Sequence, residues 1–210
     1  MRLDYISRSA EDIRKEFPNS DPFEMAKAMG NLLLFQAMGK AKSACKGFFM
    51  MQDGQPSITI NSDLPGMIQK IICAHELGHA VLHSQMPGIE SFHDFALFDD
   101  TSSTEYEANV FAAELLLKDE DVFELLNDDL SFFGVASTLR IPPEMLDFKF
   151  RVLKRKGYQF REPPVQAGSK FLRDMEVNVR EAILKAIHDG YTTFITGMAR
   201  GVDYVKPILM

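Results

Sequence analysis

Cysteine is scarce. Only Cys45 and Cys73 occur in 210 residues, too few for a disulfide framework and in keeping with a reducing compartment. Long apolar runs are missing too. No stretch approaches the ~20 residues that cross a bilayer, and the opening MRLDYISRSAEDIRKEF is charged throughout, without the apolar stretch of a secretory signal. The expectation is a soluble cytoplasmic protein with no membrane partner. Positive charge is also in deficit. With 23 Lys and Arg against 30 Asp and Glu, the formal charge is −7, a field that repels nucleic acid and makes broad DNA binding unfavourable. There is no internal repeat and no low-complexity tract.

What is present describes an ordinary globular chain, 46% apolar and 25% charged, able to bury a core of its own. Residues 9–29 read as two short helices. Ser9 with Asp12 offers a capping box for the first. Asp21-Pro22-Phe23-Glu24 combines a cap, a proline at the first helical position and a glutamate three residues after the cap. Asn31–Ala37, Gly47–Met51 and Ser57–Asn61 read as short strands of a small antiparallel sheet, with a hairpin turn at Gln52-Asp53-Gly54-Gln55. A long helix is expected over about Leu64–Ser84, capped by Asp63, then a loop over Met86–Thr101. Further helices are expected at about Ser102–Leu117 and Glu120–Asn127, and two more across 131–157, broken at Ile141-Pro142-Pro143. A linker follows over 158–170, then a helix at Phe171–Asp189 and a strand at Tyr191–Ile195. The fold class is α+β.

His75-Glu76-Leu77-Gly78-His79 carries the chemistry. Four residues apart on a helix, His75 and His79 share a face and can reach one metal ion. Glu76, turned about 100° from His75, stands beside the ion and is suited to take a proton from water there. Two histidines stacked on one face of an otherwise apolar helix are costly unless both have partners. A zinc hydrolase needs a third ligand, and the next helix offers Glu105, Glu107 and Glu114. Glu105 shares a core-like face with Asn109, Ala112 and Leu116, whereas Glu107, Val110, Glu114 and Lys118 form a more polar one. Glu105 is the expected third ligand, with Glu107 the alternative. Asn109 is placed to hydrogen-bond the far nitrogen of a ligand histidine. Either carboxylate could instead cap its helix, Glu105 with Ser102 or Glu107 with Thr104.

The segments HELGHAVLH and EYEANVFAAELLL, preceded by SITINSDLP, resemble the ImmA/IrrE family of metallopeptidases over about residues 20–157. One departure is Leu117-Lys118-Asp119, where the family often has a proline. The resemblance implies a Zn2+-dependent endopeptidase of the gluzincin type, with His75, His79 and Glu105 as ligands and Glu76 as catalytic base. It also implies a protein substrate, a helix-turn-helix repressor. The expected organisation is a metallopeptidase core at 1–128 with its sheet, active-site helix and helical bundle. A helix-turn-helix-like region follows at 129–160, then a linker with a helix–strand appendage at 161–210.

Substrate could add as a strand to Ser57–Asn61, which makes Ile58 and Ile60 binding candidates, with His83 near the rim. His93 and Tyr106 are weaker candidates for stabilising an oxyanion, and Cys73 reads as core. A competing function is a DNA-binding or protein-binding transcriptional regulator on a non-catalytic metallopeptidase-like fold. Lys149, Arg151, Lys154, Arg155 and Lys156 at the end of the 131–157 pair would be its basic helix. The run with Gly197, Gly201 and Asp203 resembles part of a SLOG-type Rossmann-like domain, too little for a complete phosphate cradle.

Overall fold

The computed structural model describes residues 3–41, 43–84, 103–127, 130–160 and 163–168, and the backbone of 206–207. The expected loop from Met86, His93, the helix at Phe171–Asp189, the strand at Tyr191–Ile195 and the run with Gly197, Gly201 and Asp203 all lie outside these residues.

Among the described residues are seven helices and a three-stranded sheet, a mixed α+β architecture. The chain divides at Leu116 and Leu117 into two compact units. The first begins with helix α1 (Leu3–Glu16) and helix α2 (Pro22–Ala28). Ser9 does not start a helix. It sits in mid-α1, its hydroxyl donating to the Tyr5 carbonyl one turn back. Asp21 does cap α2. Its carboxylate accepts from the backbone N–H groups of Phe23 and Glu24, and Glu24 accepts in return from the Asp21 N–H at 2.9 Å. Both halves of the capping box are made, which satisfies donors that a helix start leaves without partners.

Strands β1 (Leu32–Gln36), β2 (Gly47–Gln52) and β3 (Gln55–Asn61) form the sheet in the order β1-β3-β2. The hairpin is as expected. Asp53 and Gly54 both take positive φ, 50° and 78°, which matches the right-handed twist of the strands they join. The sheet is not purely antiparallel. β2 pairs antiparallel to β3, but β1 pairs parallel, with Leu33 opposite Ile58 and Phe35 opposite Ile60. A tight turn dictates antiparallel neighbours, and only the hairpin has one; β1 reaches β3 through a longer connection that leaves its direction free. β3 is therefore central, and Ser57 to Asn61 are all buried.

β3 delivers the chain to helix α3 (Gly66–Leu82), which packs on helix α4 (Ser103–Leu116). Asp63 does not cap α3. Pro65 occupies the cap position without a side-chain bond, and the Asp63 carboxylate accepts from the Gly39 N–H at 2.7 Å. Asn61, fully buried, fixes this corner. Its amide donates to the carbonyls of Gly39 and Cys45, and its oxygen accepts from the backbone N–H groups of Met38 and Asp63. One side chain thus ties the loop before β2 to the start of α3.

The second unit runs from Leu117 through helices α5 (Asp119–Asn127), α6 (Phe132–Thr138) and α7 (Pro143–Arg155). Ser131 caps α6 through the Gly134 N–H. The break between α6 and α7 is the expected one, with Arg140 at φ 57° before Ile141-Pro142-Pro143. Most of the basic positions of α7 have internal work. Lys149 is fully buried against Asp119, which also holds Lys156, and Arg151 bonds Asp147 and the Ala167 carbonyl. Tyr158–Gln159 (β4) pairs antiparallel with Lys206–Pro207 (β5).

Candidate metal centre

Helix α3 brings His75 and His79 to the same face, both buried, where α4 presents Glu105 from its first turn. Close approach of the two helices makes this possible. A Cβ on Gly78 would stand 3.1 Å from both the Ala108 Cα and the Phe111 ring. Only the missing side chain lets the α4 backbone come so near, and it lies between the two histidines in sequence.

The donor atoms of the three residues converge. His75 Nε2 and His79 Nε2 are 3.1 Å apart, His75 Nε2 lies 3.3 Å from Glu105 Oε2, and His79 Nε2 lies 3.2 Å from Glu105 Oε1. A tetrahedral ion with bonds of 2.0–2.1 Å separates its donors by about 3.3 Å, so the spacing is that of three corners around one ion. Two nitrogens and a carboxylate are the right chemistry for a borderline divalent cation. These three residues could hold a metal ion.

The electrostatics follow from burial and this clustering. Burial alone would lower His75, but the hydrogen bond and charge of Glu105, aided by Glu76 and the Asn109 side chain, outweigh it and leave the imidazole raised. His79 falls to about 4, chiefly through burial. Burial would raise Glu105, yet its bonds to both histidines hold it down to about 2. Glu76 goes the other way. Burial lifts its carboxyl to about 7, against the nearby His75 charge and the Phe49 backbone N–H. Its Oε2 has no hydrogen-bond partner among the described residues. A cation held by the triad would draw this carboxyl back toward its charged form.

A family model described as the IrrE N-terminal-like domain, a peptidase family, matches residues 26–151, which span the sheet, α3 to α6 and the first part of α7. The chain belongs to this family. In IrrE-like terms the two helices that carry the triad lie wholly within the match. The uncharacterized immunity region protein 2 of Bacillus phage phi105 is 29% identical over 145 residues, 69% of this chain and 88% of the phage protein.

Several expectations about the site need correction. β3 is not an edge, so Ile58 and Ile60, both fully buried in the middle of the sheet, cannot receive a peptide by strand addition. Among the described residues the free edges belong to β1 and β2, and β2 begins beside the Glu76 carboxyl. A Cβ on Gly47 would meet Glu76 Oε1 at 3.5 Å. His83 is not at a rim. It is 1% exposed and bonded on both sides, to His79 and to Glu107. Glu107 does not join the triad, and the supposed polar face of α4 is not solvated. Glu107 and Glu114 are both buried, with Glu107 on His83 and Glu114 accepting from the Ser7 hydroxyl. Asn109 is fully buried and its side chain favours the charged form of His75, but His75 Nδ1 has no hydrogen-bond partner among the described residues, so the expected bond to the far nitrogen is not made. Cys73 is core, as expected, its thiol pushed well above the usual thiol range by burial, in keeping with an inert role. Sequence reasoning passed over Asn61 and Gly78. Each had a signal: an asparagine at the strand-to-helix corner, and a glycine inside a strongly helical run.

Proposed function

We propose that this IrrE-like protein is a zinc-dependent endopeptidase in which His75, His79 and Glu105 hold the ion and Glu76 is the catalytic base. The observation that carries the reading is the triad at tetrahedral spacing with a buried carboxylate oxygen of Glu76 beside it that has no hydrogen-bond partner among the described residues. A zinc ion bound there supplies Lewis acidity to a scissile carbonyl and to water.

The chain's own residues do the rest. Glu76 takes a proton from the attacking water and returns it to the leaving amine, a task suited to a carboxyl whose burial pushes it toward neutral pH. Asn109, fully buried, favours the charged form of His75. A peptide running along the free edge of β2 would pass Glu76 at Gly47, and main-chain hydrogen bonds to that edge would hold it extended.

The substrate class we infer is a cytoplasmic helix-turn-helix repressor. Support comes from the family and from a relative that is itself an immunity region protein. The DNA-binding alternative finds less support, because Lys149, Arg151 and Lys156 are engaged with Asp119 and Asp147. Among the described residues no helix is long and apolar enough to cross a membrane.

The test is incubation of the full chain with candidate repressors, with and without chelator. Chelator-sensitive cleavage that Glu76→Gln abolishes while zinc stays bound is the expected result. Cleavage by Glu76→Gln at the wild-type rate would refute the role of the base, and a protein that binds no zinc would refute the metal.

A further inference from the structure

Behind the triad, and away from it, runs a second buried chain of groups. His79 Nδ1 lies 3.0 Å from His83 Nδ1, and His83 Nε2 lies 3.0 Å from Glu107 Oε2. All three residues are buried. We propose that Glu107 and His83 are positioning residues that lock His79 in the one tautomer able to bind a metal through Nε2.

The direction of the chain follows from donor and acceptor counting. An ionised Glu107 can only accept, so His83 carries its proton on Nε2 and donates it to the carboxylate. Neutral His83 then presents a bare Nδ1. That atom accepts from His79, which must carry its own proton on Nδ1. His79 Nε2 is left with a lone pair that faces His75 Nε2, on the side where an ion shared with Glu105 would sit. Reversing any one bond reverses them all, and would put a proton on His79 Nε2 in the middle of the triad.

Helix periodicity makes the relay possible. His75, His79 and His83 stand at successive i, i+4 positions, so each ring lies one turn above the last. Glu107 sits two residues after Glu105 on α4. That spacing turns the two carboxylates well apart around the helix, one to the triad and one to His83. Burial keeps water from competing for the ring nitrogens, and the relay opposes the pull of the Glu105 carboxylate on a proton at His79 Nε2, 3.2 Å away. The relay rests on the reading above that His79 is a metal ligand, and it adds two residues that touch neither ion nor substrate.

Two measurements test it. Zinc affinity of the full chain is measured by competition with a chromogenic chelator for wild type, His83→Leu, Glu107→Leu, the double variant and His83→Asn. Losing such a support costs about 10–100-fold in metal affinity, and that weakening is expected of both single leucine variants. The double variant should be no weaker than the worse single one, since both break one chain. His83→Asn places a carbonyl oxygen at the δ position formerly held by Nδ1 and should restore most of the affinity, which a merely space-filling role would not predict. The second measurement is nitrogen-detected NMR of the imidazoles in chelator-stripped wild type, which needs no variant to fold. It should find His79 protonated on Nδ1 and His83 on Nε2. A His79 protonated on Nε2, or folded His83→Leu with wild-type zinc affinity, overturns the proposal. A wild-type protein that binds no zinc but shows the expected tautomers would instead overturn the metal reading and leave the relay standing.

Discussion

Glu76→Gln should make the chelator-stripped protein more stable, and only above a certain pH. Glu76 is buried, and its carboxyl is raised from 4.5 to about 7, chiefly by desolvation. A raised acid means that the folded state holds a proton the unfolded chain has lost. Stability therefore falls as pH rises from 4.5 through about 7, and the cost is complete only above the folded value. At about 1.4 kcal/mol for each pH unit of separation, the full cost is about 3 kcal/mol. That is an upper bound, since the protein relaxes and water penetrates around a buried charge. Glutamine keeps the shape and the oxygen that can accept from the Phe49 N–H, but it has no charge to desolvate. Urea titrations of both stripped proteins between pH 4.5 and 8 supply the measurement. The two should agree at pH 4.5 and diverge by about 2–3 kcal/mol at pH 8, the variant being the more stable. Parallel curves across that range would refute the buried-carboxylate reasoning, whatever the variant does to peptide cleavage.

Four further expectations follow from the same geometry. Glu105→Ala should lose stoichiometric zinc by metal analysis, because two of the three donor–donor contacts end on that carboxylate. Since Glu105 holds His75 raised above 6.5, protons compete with metal there, and stripping by chelator should grow easier as pH falls through that region. Gly78→Ala should cost about 1–3 kcal/mol in urea melts and weaken zinc binding as well, because a methyl at 3.1 Å from the Ala108 Cα pushes α4, and Glu105 with it, away from α3. Asp119→Ala should destabilise by about 3 kcal/mol in the same assay, because it takes a carboxylate away from the fully buried ammonium of Lys149.

The local rules of the chain were legible from residue order alone. Asp21 with Glu24 had to cap α2, Asp53-Gly54 had to turn, and His75 and His79 had to share a face, because each depends on bonds or angles spanning at most four residues. The choice of Glu105 came from helical geometry too, and Glu105 does meet both histidines. The rejection of Glu107 rested on a polar face that does not exist. α4 is buried nearly all round, and its other carboxylates are matched to partners far away in sequence, His83 for Glu107 and Ser7 for Glu114. Nothing local distinguishes a solvated glutamate from one whose partner arrives on another helix.

The same limit explains the sheet. Residue order determines the hairpin, but whether β1 lies beside β2 or β3, and in which direction, is settled by packing that a strand cannot encode within itself. Sequence alone therefore determined that this protein has a pair of metal-ready histidines on one helix with a carboxyl beside them. The tertiary structure decided that Glu105 closes on both histidines, which strands among the described residues keep a free edge, and that His83 looks inward. All three are decided by how closely α3 and α4 approach at Gly78 and by where β1 joins the sheet, and those are long-range contacts whose energies exist only once the chain has closed upon itself.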